Sequence, residues 1–316
     1  MKRGSSPVRS ARRPGTPPDA AAVVEIPGRW RHRHVSAGGS RFHLVEAGPT
    51  DGPLVLFLHG FPQFWWAWRH QLVTLAAAGH RVAAMDLRGF GGSDKPPRGY
   101  DTFTLAADVD GVIRSLGAQD AVLVGHSWGG WIAWAMPTLH PRTCRAIAVV
   151  GTAHPLRTML AAIDPRQARG LQRTVFFQVP MAPERRIADG DLVEQVLREW
   201  SATPGWPDAQ SVDRYREAMR IPASAHCSME YYRWAMRSRV RADGRRFTAA
   251  LRRRVAVPVL QLHGRHDPHI PLRHALGSQQ WVSGPYEWHA LDGGHFLAEE
   301  SPDAVNVLLG DWLARL

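Results

Sequence analysis

Hydrophobic and polar positions along this chain fall into blocks whose period changes several times. Around Arg31 to Val35 and Arg41 to Val45 the alternation is two-residue, and Ala37-Gly38-Gly39 between them predicts a hairpin. Pro53-Leu54-Val55-Leu56-Phe57-Leu58 is continuously apolar, which predicts a strand covered on both faces. Trp68, Leu72, Leu75 and Ala76 recur at helical spacing, and Arg81 to Met85 predicts the next covered strand. A helix from Thr104 carries Leu105, Val109, Val112, Ile113 and Leu116 on one face. A strand from Ala121, a helix over Trp128 to Leu139 and a strand over Arg145 to Val150 continue the series. Strand and helix in turn predict an α/β fold, a mostly parallel sheet with helices on both faces.

Beyond Gly151 the pattern breaks. From Thr152 to Arg254 no covered strand is legible, while Val193, Val196, Leu197 and Trp200 recur at helical spacing. Prolines at 155, 165, 180, 183, 204, 207 and 222 divide the segment into short pieces. Strand character returns at Pro258 to His263 and at Glu287 to Leu291. Ser301-Pro302 then predicts the N-cap and first position of a last helix with Val305, Leu308, Leu309 and Trp312 inward. The expected organisation is a disordered basic tail over 1–28, a core from 29–151 and 255–316, and a helical cap over 152–254.

Composition changes this picture little. At 316 residues and 44% hydrophobic, the chain can bury a large core, and no apolar run approaches the roughly 18 residues of a membrane span. Cys144 and Cys227 stand in no metal or redox spacing and read as reduced, buried thiols of a cytoplasmic protein. The net charge of +11 suggests a nucleic-acid partner. Its placement argues otherwise: Met1 to Arg33 carries about half the excess, and much of the rest is mixed with acids at helical spacing. No nucleic-acid partner is expected, a small-molecule substrate is, and a homodimer is an assembly open to such a chain.

The chemistry concentrates in Ala121-Val122-Leu123-Val124-Gly125-His126-Ser127-Trp128-Gly129-Gly130. A serine on a strand-to-helix turn, with glycines two residues to either side, is a nucleophile elbow. A serine hydroxyl needs a base within hydrogen-bond reach and a carboxylate to orient that base. In open α/β sheets both partners should lie just beyond strand ends. Asp267 follows the strand in Leu262-His263-Gly264-Arg265-His266-Asp267, and His295 follows the last strand in Leu291-Asp292-Gly293-Gly294-His295. Ser127, Asp267 and His295 are therefore the expected triad, with the nearer Asp292 read as a turn residue. The backbone N–H groups of Phe61 and Trp128 are the expected oxyanion donors. His126 reads as a packing or hydrogen-bonding residue beneath the elbow. His263, His266 and His269 stand in a glycine- and proline-containing loop, and no metal site is expected there.

Several motifs together carry a resemblance. His59-Gly60-Phe61-Pro62-Gln63-Phe64-Trp65-Trp66-Ala67-Trp68-Arg69, Met85-Asp86-Leu87-Arg88-Gly89-Phe90-Gly91-Gly92-Ser93, the elbow, and Gly293-Gly294-His295-Phe296 resemble the epoxide hydrolase branch of the α/β-hydrolase superfamily. The resemblance implies the α/β-hydrolase fold with an eight-stranded sheet, a helical cap, no cofactor, and a substrate pocket between cap and core. It also implies that Tyr232 in the cap contacts substrate, with Tyr231 its rival; Trp65, Trp66 and Trp128 are candidates to line the pocket. Two departures redirect the reading. Epoxide hydrolases of this type carry aspartate where Ser127 stands, and the place of a second cap tyrosine is held by Arg173. Carboxylate attack on an epoxide gives an ester that water can cleave, whereas serine attack gives an ether with no carbonyl. The expected activity is therefore hydrolysis of a small to medium carboxylic ester through an acyl-enzyme on Ser127. The alternatives are an epoxide hydrolase-like or cofactor-free perhydrolase activity and, outside enzymes, a silent hydrolase-fold binding protein.

Overall fold

The computed structural model describes residues 19–161 and 168–316. Eight strands run in the order β1-β2-β4-β3-β5-β6-β7-β8. They are β1 (Arg31–Ala37), β2 (Ser40–Ala47), β3 (Leu54–Leu58), β4 (Arg81–Met85), β5 (Ala121–His126), β6 (Cys144–Val150), β7 (Val259–Gly264) and β8 (Tyr286–Leu291). The hairpin β1–β2 closes at Gly38-Gly39 and joins β4 antiparallel; every other pairing is parallel. Each residue of β3, β5 and β7 is buried, as a central parallel strand with helices on both faces requires.

Register decides where loops emerge. Leu58 of β3 lies opposite Gly125 of β5, His126 of β5 opposite Val150 of β6, and Gly264 of β7 opposite Leu291 of β8. The carboxyl ends of these strands thus share one edge of the sheet, and the loops carrying Phe61, Ser127, Asp267 and His295 all leave from it. This is the edge where open α/β sheets bind ligands.

The helices flanking the sheet are α2 (Arg69–Ala77), α3 (Thr102–Ser115), α4 (Trp128–Leu139) and α14 (Pro302–Leu313), after a short α1 (Ala20–Val24). Helix α3 starts before Thr104, because the Asp101 carboxylate accepts the Thr104 N–H and caps it. Between β6 and β7 come α5 (Pro155–Ala161), α6 (Ala168–Phe176), α7 (Ala182–Asp189), α8 (Asp191–Trp200), α9 (Ala209–Arg220), α10 (Ser224–Arg237) and α11 (Ala242–Leu251). Short helices α12 (Leu272–Ala275) and α13 (Leu297–Glu300) follow β7 and β8. On α8 the inward face is Val193, Val196, Leu197 and Trp200, as the spacing predicts. Pro155 and Pro183 open helices, since a first-turn proline forfeits no intrahelical bond; Pro165 lies outside the described residues.

Two expectations are corrected. The basic tail is not featureless through residue 28: α1 buries Val23 and Val24, and the Val24 carbonyl accepts the Trp65 indole N–H at 2.9 Å. Apolar side chains in an alanine-rich stretch found a core groove that composition does not reveal; residues 1–18 lie outside the described residues. Ser301 stands at the N-cap of α14 without capping it through its side chain, because its hydroxyl donates instead to the Asp292 carbonyl.

Candidate active site

Ser127 occupies the turn between β5 and α4 at φ 51 and ψ −114, a left-handed conformation that a residue with a Cβ adopts only when its surroundings impose it. The imposition is steric. A Cβ on Gly129 would lie 2.1 Å from the Leu58 carbonyl oxygen, so only glycine lets α4 approach β3 this closely. On the other side a Cβ on Gly60 would lie 2.5 Å from Ser127 Cβ, which sets the loop after β3 against Ser127.

That loop is fixed by a neutral histidine. Buried His59 donates from Nδ1 to the Gly60 carbonyl at 2.9 Å and accepts the Leu87 N–H on Nε2 at 3.0 Å. Burial lowers its pKa, in keeping with a ring that both donates and accepts. Phe61 follows, joined to Pro62 by a cis peptide. Trp128 is the first residue of α4, so its N–H is one of the donors a helix leaves without an internal acceptor. The two expected oxyanion donors thus belong to the loop after β3, which packs on Ser127 at Gly60, and to the first residue of α4.

The remaining partners are brought together across β7 and β8. His295 Nδ1 lies 2.9 Å from Asp267 Oδ2, with both side chains fully buried. The other carboxylate oxygen accepts the His269 and Ile270 N–H groups, each at 2.8 Å. Burial raises the Asp267 pKa, against the pull of His263, His269 and these two amides. Burial lowers His295 to about 3, so the ring rests neutral, and its Nε2 is buried without a hydrogen-bond partner among the described residues. A neutral imidazole held at Nδ1 and open at Nε2 is the form a general base requires. Asp292, by contrast, projects into solvent toward Arg265 and is no rival for this role.

His126 sits beneath the elbow as expected. Its Nε2 donates to the His295 carbonyl at 2.8 Å and its Nδ1 meets Gln63 Oε1 at 2.8 Å, so neither nitrogen faces the nucleophile. In the HGRHDPH loop, His263 bonds the Ile270 carbonyl, His266 is exposed, and His269 stacks on Trp200 with ring centroids 3.7 Å apart.

An apolar wall includes Trp128, the residue that follows Ser127. Phe61, Trp128, Phe177 and Tyr232 meet edge to face, with Tyr232 centroids 5.0 Å from Trp128 and 4.7 Å from Phe177. The two cap tyrosines now separate. Tyr231 donates to the Arg88 carbonyl at 2.7 Å, whereas the buried Tyr232 hydroxyl has no hydrogen-bond partner among the described residues. Burial raises the Tyr232 pKa, partly offset by the Trp128 indole and by Arg173, which itself pairs with Glu199. Trp65 is a correction. It packs against Trp30, His32 and Phe64 and bonds Val24, so it anchors the amino-terminal segment and not the pocket. Trp66 likewise turns away, stacked under Arg69 and against Tyr215.

Phe177, the site contacts of Trp200 and Gln63, and the roles of Glu299, which accepts the Gln63 amide, and Glu300, which accepts the Gly294 and Phe296 N–H groups, escape a reading of the sequence. The first lies in the Phe176-Phe177 pair without any period to mark it. The two glutamates follow His295 by four and five residues, a spacing that would have suggested a turn of backbone folding over the histidine.

Comparison with known proteins agrees with this geometry. Residues 53–302 match the family described as alpha/beta hydrolase fold. Epoxide hydrolase A of Mycobacterium tuberculosis is 33% identical over 90% of this chain and 97% of its own length. Epoxide hydrolase 4 of Mus musculus is 31% identical over 98% and 87%. The crystal structure of epoxide hydrolase A from Mycobacterium thermoresistibile superposes with a TM-score of 0.74 at 26% identity, covering 90% of this chain and 98% of that one. With a family match over residues 53–302 and epoxide hydrolases 31% and 33% identical over nearly the whole chain, the chain belongs to the α/β-hydrolase fold family and, within it, to the epoxide hydrolase-like branch of hydrolases.

Proposed function

We propose that the protein is a serine hydrolase of small to medium carboxylic esters. The observation that carries this reading is the buried Asp267–His295 pair at 2.9 Å, with His295 Nε2 unengaged, on the sheet edge where Ser127 is held at positive φ. As the Ser127 oxygen bonds to the ester carbonyl carbon, its proton passes to His295 Nε2. Asp267 stabilises the imidazolium, and the Phe61 and Trp128 N–H groups receive the oxyanion. Collapse breaks the bond to the alcohol, which leaves with the proton from His295. Water then attacks the acyl-enzyme, His295 takes and returns its proton, and the acid departs. Phe61, Trp128 and Phe177 offer the acyl chain an apolar wall, and the Tyr232 hydroxyl offers a donor to a polar atom of the substrate. No cofactor enters the sequence of steps.

A fluorophosphonate should label Ser127 stoichiometrically, and S127A and H295A should abolish labelling. A folded wild-type protein that takes up no label and cleaves no p-nitrophenyl ester would overturn the reading.

Epoxide opening is the second reading, favoured by the names of the relatives and by the free Tyr232 hydroxyl. Against it stands the chemistry of Ser127, whose adduct with an epoxide carbon would be an ether beyond the reach of an oxyanion hole. Diol formation from styrene oxide, measured beside the ester panel, decides between them. No helix among the described residues is long and apolar enough to cross a membrane.

A further inference from the structure

Four backbone N–H groups converge on the carboxylate of Glu300. Phe296 donates to Oε1 at 2.9 Å; Gly294, Ala202 and Thr203 donate to Oε2 at 2.9, 2.8 and 2.9 Å. Gly294 and Phe296 are the residues on either side of His295. Ala202 and Thr203 belong to the cap, just past the end of α8. One side chain therefore ties both flanks of the expected base to the cap segment that leaves Trp200.

A second tie runs alongside. The His295 N–H donates to the Trp200 carbonyl at 2.8 Å, and the Trp200 indole meets the His295 ring edge to face at 5.4 Å. A Cβ on Gly294 would lie 2.6 Å from Ala202 N, so the two segments touch through backbone. The loop bearing His295 is followed by α13, only four residues long, and its ties to the core include the Asp267 bond to Nδ1 and the His126 bond to the His295 carbonyl. Its position is thus set by the cap as much as by β8.

The donor set calls for a carboxylate. Anionic oxygens can each accept several N–H bonds, and such charge-assisted bonds are stronger than neutral ones. An amide offers one oxygen and one NH₂ group, so a glutamine at this place must turn NH₂ toward at least one N–H donor. The turn that loses least keeps the oxygen on Gly294, Ala202 and Thr203 and opposes the Phe296 N–H.

We propose that Glu300 is a positioning residue that registers the His295 loop on the cap, so that the seating of the cap sets the aim of the general base. The proposal deepens the serine hydrolase reading and rests on it for its kinetic arm. Displacement of a catalytic group by about 1 Å costs on the order of 100-fold in rate, and that is the scale expected here.

The test uses the full chain with rates expressed per fluorophosphonate-titrated site, so that a lower folded fraction cancels. In E300Q, kcat for p-nitrophenyl butyrate should fall by about 30- to 100-fold with KM within about threefold, and E300D should recover part of the loss. The acid limb of the kcat profile should move up toward the ordinary histidine value, because a loosened loop admits water and eases the burial that now lowers His295. In E300A, the Gly294, Phe296, Ala202 and Thr203 amides should lose hydrogen-exchange protection together while those of β5 keep theirs. If E300A does not fold, loss of Phe296 protection in E300Q carries the exchange arm. Unchanged kcat per titrated site in E300Q, an unmoved acid limb, or protected Gly294 and Phe296 amides in E300A would overturn the proposal. A wild-type protein that neither labels nor cleaves esters would sink the serine hydrolase reading instead, and the exchange arm would still decide what Glu300 holds.

Discussion

Two hydrogen-bonded, buried histidine–aspartate pairs among the described residues look alike but differ in what their outer nitrogens meet. His43 Nδ1 lies 2.8 Å from Asp86 Oδ2, and His295 Nδ1 lies 2.9 Å from Asp267 Oδ2; all four side chains are fully buried. The difference is at the far nitrogen. His43 Nε2 meets His32 Nδ1 at 3.0 Å, and Asp86 is further bound by the Trp65 and Gly92 N–H groups, each at 2.8 Å. That pair ties β2 to the loop after β4, fixes the segment after β3 at Trp65 and, through His32 and the Ile26 carbonyl, holds the amino-terminal segment. His295 leaves Nε2 open on the edge where Ser127 emerges. Burial raises both carboxyls, but at Asp86 the hydrogen bond and charge of His43, with His59 and the Trp65 N–H, outweigh it and the pKa falls; at Asp267 burial wins. A histidine–aspartate pair is therefore not in itself a catalytic device: the far nitrogen is engaged in one pair and without a hydrogen-bond partner among the described residues in the other.

Substitutions at equivalent places in the two pairs should separate activity from stability. H295A should lower kcat by on the order of 10⁴- to 10⁶-fold with a small change in melting temperature. H43A should instead cost about 3 to 5 kcal/mol in urea unfolding and leave the rate per titrated site within tenfold. A large kcat loss in H43A would mean that the two pairs are coupled. One step down, D267N should cost about 10⁴-fold in kcat, since an amide can hold His295 in the wrong tautomer. D86N should show its effect in stability, at about 3 kcal/mol.

The pH profile sharpens the contrast at smaller scale. His295 must be neutral to accept a proton, and burial lowers its pKa to about 3, so activity should persist below the ordinary histidine value and fall only in more acid solution. The same burial works against the fold. His154 and His269 are also lowered to about 3, so the unfolded chain binds more protons below its histidine pKa of about 6.5. Stability should decline as pH drops from about 6.5 toward 3, which thermal melts at several pH values would show. An acid limb of kcat/KM near 6.5 in a protein still folded there would contradict the dry seat of His295.

The smallest effects are expected at the adjacent cap tyrosines. Y231F removes the bond to the Arg88 carbonyl and should cost about 1 kcal/mol of stability without altering selectivity. Y232F removes a hydroxyl with no internal partner. It should leave stability within about 0.5 kcal/mol while lowering kcat/KM for favoured esters by up to about tenfold.

How far the site was legible depended on whether its signal was local. Ser127 was visible because strand, glycine, serine, glycine and helix are consecutive, and Asp267 and His295 because each follows a strand by a few residues. The spacing along α8 marks the segment between β6 and β7 as helical but does not show what it touches. Trp65 is not placed by sequence because an aromatic residue near the loop after β3 looks the same whether it faces substrate or Val24. Tyr231 and Tyr232 could not be told apart by sequence, since adjacent residues on a helix point about 100° apart and only packing says which hydroxyl finds a carbonyl.

By itself the sequence determined the sheet, the strand-to-helix turn and the serine that stands on it, because period, glycine placement and residue identity act over a few neighbours. The tertiary structure alone decided which histidine–aspartate pair keeps a free nitrogen, which tyrosine is open, and that Glu300 joins residues separated by nearly a hundred positions. Those outcomes depend on burial and on backbone donors brought together from distant segments. No short window of sequence contains them.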